Sequence, residues 1–158
     1  MRDALIVSTA RTPLTKSYRG TFNNTTAPTM AGWAIEEAVK RSGVDPEKVD
    51  DVIMGAALQQ GTQHCNVARN AALVAGLPVT VSGMTLDRQC SSGMMAIATA
   101  AKQIISDGMD VAVGGGLDSI SLVQTEKMNL DRWVDKKLIA KHKHIYMPML
   151  KTDRKSVV

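Results

Sequence analysis

Two cysteines and three histidines are the side chains of this 158-residue chain best suited to nucleophilic chemistry. Cys90 stands in "DRQCSSGMMAIATAAKQIISDGMDVAVGGG", residues 87–116, where an apolar run ends and a long amphipathic stretch begins. Cysteine attacks as thiolate, and the unpaired amides and dipole of a helix's first turn favour that charge. A cysteine between a strand end and a helix start lies at the carboxyl edge of a parallel sheet, where α/β proteins build their sites. Ser91, Ser92 and Gly93 keep the turn small, so a substrate can approach the backbone, and the Cys90 amide is available to an oxyanion. Free cysteine is also among the most buried residue types. Spacing alone therefore leaves both a nucleophile and a buried structural thiol open.

Cys65 lies beside His64 in "QQGTQHCNVARN", also just before a helical pattern. Adjacent side chains at a helix start usually diverge, which favours a structural or surface role over a dyad. His64, Cys65, His142 and His144 have no recognised ligand spacing, so no metal site is expected. The triple glycine 114–116 follows a strand pattern but is not GxGxxG, and no suitable helix follows it.

The elements that must position Cys90 are legible as alternating patterns. "ALIVSTA" (4–10) reads as a first strand and 16–28 as a polar loop. A helix capped by Thr29 runs to Gly43, and Asp45 caps a brief turn opened by Pro46. Strands are expected at 51–58, 79–86 and 110–116, and helices at 66–76 and 91–107. The order β-α-β-α-β-α-β with short links implies a mostly parallel sheet with helices on both faces. After Ser121 the pattern dissolves.

The length fits one domain with a real core. With 44% hydrophobic and 22% charged residues the chain reads as globular, and 3% aromatics with ten methionines make its core aliphatic and Met-rich. Two cysteines are too few for a disulfide framework, the N-terminus lacks a signal-peptide pattern, and no window reaches a membrane span. A cytoplasmic protein is expected, with neither membrane nor nucleic acid as partner. Residues 1–126 hold ten Lys/Arg against twelve Asp/Glu, while 127–158 hold nine against three. Such a basic tail suits nucleic acid or a phosphorylated small molecule, although charge alone favours a solvated end.

"MTLDRQCSSGMMAIATAAKQI" resembles the nucleophilic-cysteine motif of thiolases, the acyl-CoA acetyltransferases. "ALIVSTARTPLTKSYRGTFN", "VIMGAALQQG", "NVARNAALVAGLP" and "DVAVGGGLDSISLV" resemble that family's flanking segments. The resemblance covers roughly residues 1–126, with "YMPML" (146–150) continuing it more loosely into the family's loop domain. It implies a thiolase-like N-terminal half domain over 1–121 and the start of a basic loop domain over 122–158.

It also implies Cys90 as acyl-thioester nucleophile, its amide in the oxyanion hole, and Met149 near the acyl-pocket methionine. Coenzyme A thioesters would be the substrates, with no covalently bound cofactor, in the acyl transfer of fatty acid metabolism. The complete form would be a homodimer or larger oligomer, paired through the strand at 79–86. The family's later motifs, Gly-His-Pro, Cys-x-Gly-Gly-Gly and Asn-Glu-Ala-Phe, do not occur in the chain. Its fifth strand, placed after the loop domain, is missing too, and "KTDRKSVV" departs from the usual continuation, as in a cut or frame-shifted chain. The expectation is a truncated thiolase-like acyltransferase, inactive as this chain alone. The alternatives are a non-catalytic remnant and a dimerisation or assembly module.

Overall fold

The computed structural model describes residues 2–156. The chain forms two compact units, one ending at Glu126 and the other beginning at Lys127.

The first unit is a three-stranded parallel sheet with helices on both faces. Its elements are α1 (Ala27–Ser42), β1 (Asp51–Gly55), α2 (Val67–Val74), β2 (Ser82–Leu86), α3 (Ser92–Lys102), β3 (Ala112–Gly116) and α4 (Ile120–Val123). The strand order is β2-β1-β3, with Asp51 in register with both Ser82 and Ala112. All five residues of β1 are buried, as a central strand covered on both faces requires. Alternation still sorts the side chains. Val52 and Met54 join Ile35, Ala68, Ala71 and Ala72 beneath α1 and α2, whereas Ile53 meets Ala96 and Ala100 of α3. Small residues let the layers approach closely.

Helix boundaries follow local chemistry. The first helix begins at Ala27 with Thr26 at its N-cap, not after Thr29, because Pro28 in the first turn forfeits an amide that has no helical partner anyway. Gly43 closes it in the left-handed region at φ 68°, where a Cβ would be strained. Asp45 accepts from the Glu47 amide and caps the following 3₁₀ turn, as its position predicts. The third helix stops being α at Lys102 and continues as a π-turn over Gln103–Asp107, where the Gln103 amide side chain donates to buried Asp51 at 3.0 Å.

The expected strand at 4–10 does not form. Both sides of β1 are occupied, so only the outer edges of β2 and β3 remain. Residues 2–10 are held by other bonds: Arg2 pairs with Asp110 and donates to the Gly108 carbonyl, and Arg41 donates to the Thr9 carbonyl. Leu5, Ile6 and Val7 are left 77%, 77% and 69% exposed. Strand propensity is overridden here by tertiary pairing.

The second unit contains α5 (Lys136–Lys141) and α6 (Met149–Ser156). Asp135 caps α5, its carboxylate accepting from the Lys137 and Leu138 amides at 2.8 and 3.2 Å. None of its described residues is buried. Of the "KTDRKSVV" stretch, the first residues lie in α6, and Val157 and Val158 lie outside the described residues.

Candidate active site

Parallel strands bring three loops to one sheet edge: 56–66 after β1, 87–91 after β2 and 117–119 after β3. Cys90 lies in the second. It is exposed, which removes the buried-structural-thiol reading. The helix begins at Ser92 with Ser91 as its cap, so Cys90 precedes the cap rather than sitting in the first helical turn as the sequence suggested. The cause is a tight turn through Gln89, whose φ of 52° lies in the left-handed region.

Ser92 and Asp87 hold that turn. The Ser92 hydroxyl accepts from the Arg88 amide at 2.8 Å and donates to the Gln89 carbonyl at 2.6 Å. Asp87 accepts from the Gln89 amide at 2.7 Å. The Ser91 and Ser92 amides donate back to Arg88 and Gln89 at 3.2 and 3.0 Å. These bonds engage the amides of residues 88, 89, 91 and 92, and Arg88 and Cys90 form a backbone bridge within the turn. A sharp strand-to-helix turn is one way proteins push a nucleophile clear of the sheet. Ser92 is buried, so Ser92→Ala removes the part-buried hydrogen-bond partner of the Arg88 amide and the Gln89 carbonyl. The expected loss is about 1–3 kcal/mol, read as a lower urea midpoint; an unchanged midpoint would contradict the turn's described bonding.

The glycines set how closely α3 approaches. A Cβ on Gly55, at the end of β1, would lie 2.2 Å from the Ser92 carbonyl carbon and 2.5 Å from the Gly93 amide. A Cβ on Gly116 would lie 2.8 Å from Gly93 Cα, and one on Gly114 2.8 Å from Ile97 Cα. Gly114 and Gly116 are therefore the surface on which the helix that follows Cys90 rests, whereas Gly115 faces Met54.

Behind this edge lies a buried polar group that no motif announces. Gln63 is 1% exposed. Its amide nitrogen donates to Asp118 at 3.0 Å and to the Leu58 carbonyl at 2.8 Å, and its oxygen accepts from the Ser119 amide. Gln63 thus ties the loop after β1 to the loop after β3. A signal was present, since polar residues directly follow each strand pattern, but nothing in the sequence pairs them.

Partial enclosure raises the Asp118 pKa above its ordinary 3.8; Gln63 and the Ala57 amide oppose the rise, the charge of Asp87 adds to it, and the Leu58 amide opposes it. The folded state therefore holds this proton more tightly than the unfolded chain. The resulting stability is full below about pH 3.8 and is lost as pH climbs through the higher folded value. Asp118→Asn, whose side-chain oxygen still accepts from Gln63, is expected to flatten the decline in urea midpoint above pH 4; parallel curves for the two proteins would contradict this.

The 64–66 segment corrects the expectation of diverging side chains. Cys65 and Asn66 have φ of 50° and 54°, and this reversal brings His64 Nδ1 to 2.6 Å from Cys65 Sγ. Both residues are exposed. Met149 opens α6 in the second unit and is 71% exposed. A cleft of ≈ 300 Å³ lies on the α1 side of the edge, lined by Ala10–Leu14, Met30, Met54 and Gly116–Ser121, and Cys90 is not in its wall. In the second unit, Lys143, His144, Tyr146 and Lys151 line a shallower hollow of ≈ 220 Å³. Among the described residues no helix is long and apolar enough to cross a membrane.

An α/β layer with an exposed cysteine on a strand–turn–helix edge is thus the class of protein that the geometry defines. The family model for the thiolase N-terminal domain matches residues 4–155, and the chain belongs to the thiolase family. The match extends past the 1–126 region that carries the clearest motifs and includes α5 and most of α6. The chain is 40% identical over 123 residues to the 3-ketoacyl-CoA thiolase of Bacillus subtilis (strain 168), covering 78% of this chain and 32% of that one. It is 40% identical over 121 residues to the acetyl-CoA acetyltransferase of Cupriavidus necator, covering 77% and 30%. Among solved structures, the Bacillus anthracis acetyl-CoA acetyltransferase superposes with a TM-score of 0.75 at 41% identity, covering 86% of this chain and 34% of that one. The chain therefore spans about a third of the length of these relatives.

Proposed function

We propose that this chain supplies the acyl-accepting cysteine of a thiolase-type reaction on coenzyme A thioesters, and that catalysis needs the rest of the family's length. The observation that carries this reading is the exposed Cys90 on a turn braced by Ser92 and Asp87. Cys90 Sγ attacks the thioester carbonyl, the Cys90 amide donates to the oxyanion, and coenzyme A leaves as the thiol. The acyl group then passes to the α-carbon of a second thioester, which gives up a proton; in reverse, Cys90 takes the acyl group from a 3-ketoacyl-CoA as acetyl-CoA leaves with a proton on its α-carbon, and the coenzyme A thiol then removes it. Relatives named 3-ketoacyl-CoA thiolase and acetyl-CoA acetyltransferase support both directions.

Among the described residues no hydrogen bond joins a histidine to Cys90, and we assign the base to the rest of the family's length. The outer face of α3 supports a covering partner, since Met94 and Ile97 are 75% and 47% exposed on the helix that follows Cys90. The remainder of the family's chain is the occupant we assign to that face. The second unit would bind the coenzyme A phosphates through lysines such as Lys143 and Lys151, with Met149 against the acyl chain. The free outer edge of β2 favours pairing of two copies, and the chain would work in the cytoplasm as a homodimer or larger oligomer.

Mixing this chain with a polypeptide comprising the remaining two thirds of the Bacillus subtilis relative tests the reading. Thiolysis of 3-ketoacyl-CoA is expected in the mixture and from neither part alone. A mixture that forms a complex yet yields no thiolysis would overturn it.

A further inference from the structure

The second unit carries large apolar side chains that it does not bury. Leu130, Trp133, Val134, Ile139, Ile145 and Leu150 are all exposed. Apolar exposure on that scale marks a surface for a partner. The charge says which kind. Residues 127–158 hold nine Lys/Arg against three Asp. Two of the three carboxylates are used locally: Asp135 caps α5, and Asp131 pairs with Arg132 at 3.8 Å. Lys136, Lys137, Lys141 and Lys143 are exposed and form no ion pair among the described residues. Apolar and cationic side chains also meet in space. The Tyr146 hydroxyl accepts from the Asp135 amide at 3.2 Å, which ties the stretch bearing Trp133 and Val134 to Ile145. Ile139, Tyr146 and Met147 share one hollow with Lys143 and Lys151.

We propose that the second unit is a peripheral docking surface for an anionic lipid bilayer. The apolar side chains enter the boundary between headgroups and acyl chains, and the lysines meet the headgroup phosphates. Lysine suits this position because its aliphatic stem lies along apolar surface while the ammonium stays wet. Trp133 suits it too, with an apolar ring and one N–H donor. Nucleic acid would engage the same lysines but leave the aliphatic side chains in water, so the combination favours lipid. The expectation of no membrane partner rests on the lack of a spanning window, which peripheral contact does not need. The proposal does not rest on acyl transfer at Cys90, and vesicle binding is read on this chain alone.

The test uses the intact chain as Trp33→Phe, which leaves Trp133 as the one tryptophan. Phosphatidylcholine vesicles with about 30% phosphatidylglycerol are expected to carry the chain into the pellet and shift Trp133 emission to the blue. Pure phosphatidylcholine vesicles are expected to do neither, and added salt should weaken the binding. The parent chain, pelleted alongside, controls for the substitution. Replacing both Lys137 and Lys141, one turn apart on α5, by glutamine is expected to weaken binding about thirtyfold. Trp133→Ala, read by pelleting, is expected to weaken it about tenfold. Equal binding to the two kinds of vesicle would overturn the proposal, as would pelleting with no shift in emission. Tighter binding of duplex DNA than of anionic vesicles at the same salt would also overturn it, with nucleic acid as the partner instead.

Discussion

Replacing Cys90 by serine is expected to lower thiolysis in the reconstituted assembly by at least about a thousandfold, because the serine hydroxyl is a far weaker nucleophile than a thiolate. The substitution is nearly isosteric at an exposed position, so folding and association are expected to persist. The loss should fall on kcat, while capture of the second polypeptide is unchanged. Stopped assays on matched, gel-filtered complexes check this. A Cys65→Ser protein provides the internal comparison and is expected to retain activity, since Cys65 stands apart from the acyl-transfer turn. Activity that survives Cys90→Ser would place the nucleophile elsewhere.

The second large effect concerns the floor beneath that turn. Gly55→Ala is expected to cost about 3 kcal/mol or to abolish cooperative unfolding, because overpacking against rigid backbone has no side-chain escape. All three atoms nearest the added Cβ are main-chain atoms of Ser92 and Gly93, the nearest at 2.2 Å. Gly93→Ala is the contrast: its Cβ would stand 3.4 Å from Gly116 Cα, near ordinary contact, and alanine favours the helix. That substitution is expected to stay within about 1 kcal/mol of the parent. Urea titrations of the two proteins give the answer, and equal midpoints would mean that α3 does not rest on the end of β1 as described.

Much of the architecture could be read from local pattern, because local chemistry decides it. Gly43 and Asp45 end and restart the chain through backbone geometry that only their neighbours influence. The alternation of strands and helices from residue 27 to 116 likewise follows from periodicity, and the parallel order follows from short links. The motif around Cys90, together with the flanking segments, carried the resemblance to the family.

What escaped was set by tertiary partners. "ALIVSTA" has every local mark of a strand, yet β2 and β3 occupy both sides of β1 and leave it unpaired. The Gln63–Asp118 link joins residues 55 positions apart, and no periodicity announces it. Gly114 and Gly116 were legible as part of an unusual run but not as a packing surface, because their meaning lies in the helix above them. At His64 and Cys65 a rule about helix starts failed for a definite reason: consecutive left-handed residues turn neighbours toward each other.

The central claim is that Cys90 accepts an acyl group from a coenzyme A thioester, and the most direct measurement is to trap that species. The reconstituted assembly is incubated with acetyl-CoA, acid-quenched and digested, and the peptides bearing Cys65 and Cys90 are weighed. The account predicts an acetyl adduct on the Cys90 peptide that neutral hydroxylamine removes, as it removes a thioester. An assembly that turns over substrate but carries no acetyl group on Cys90 would contradict it.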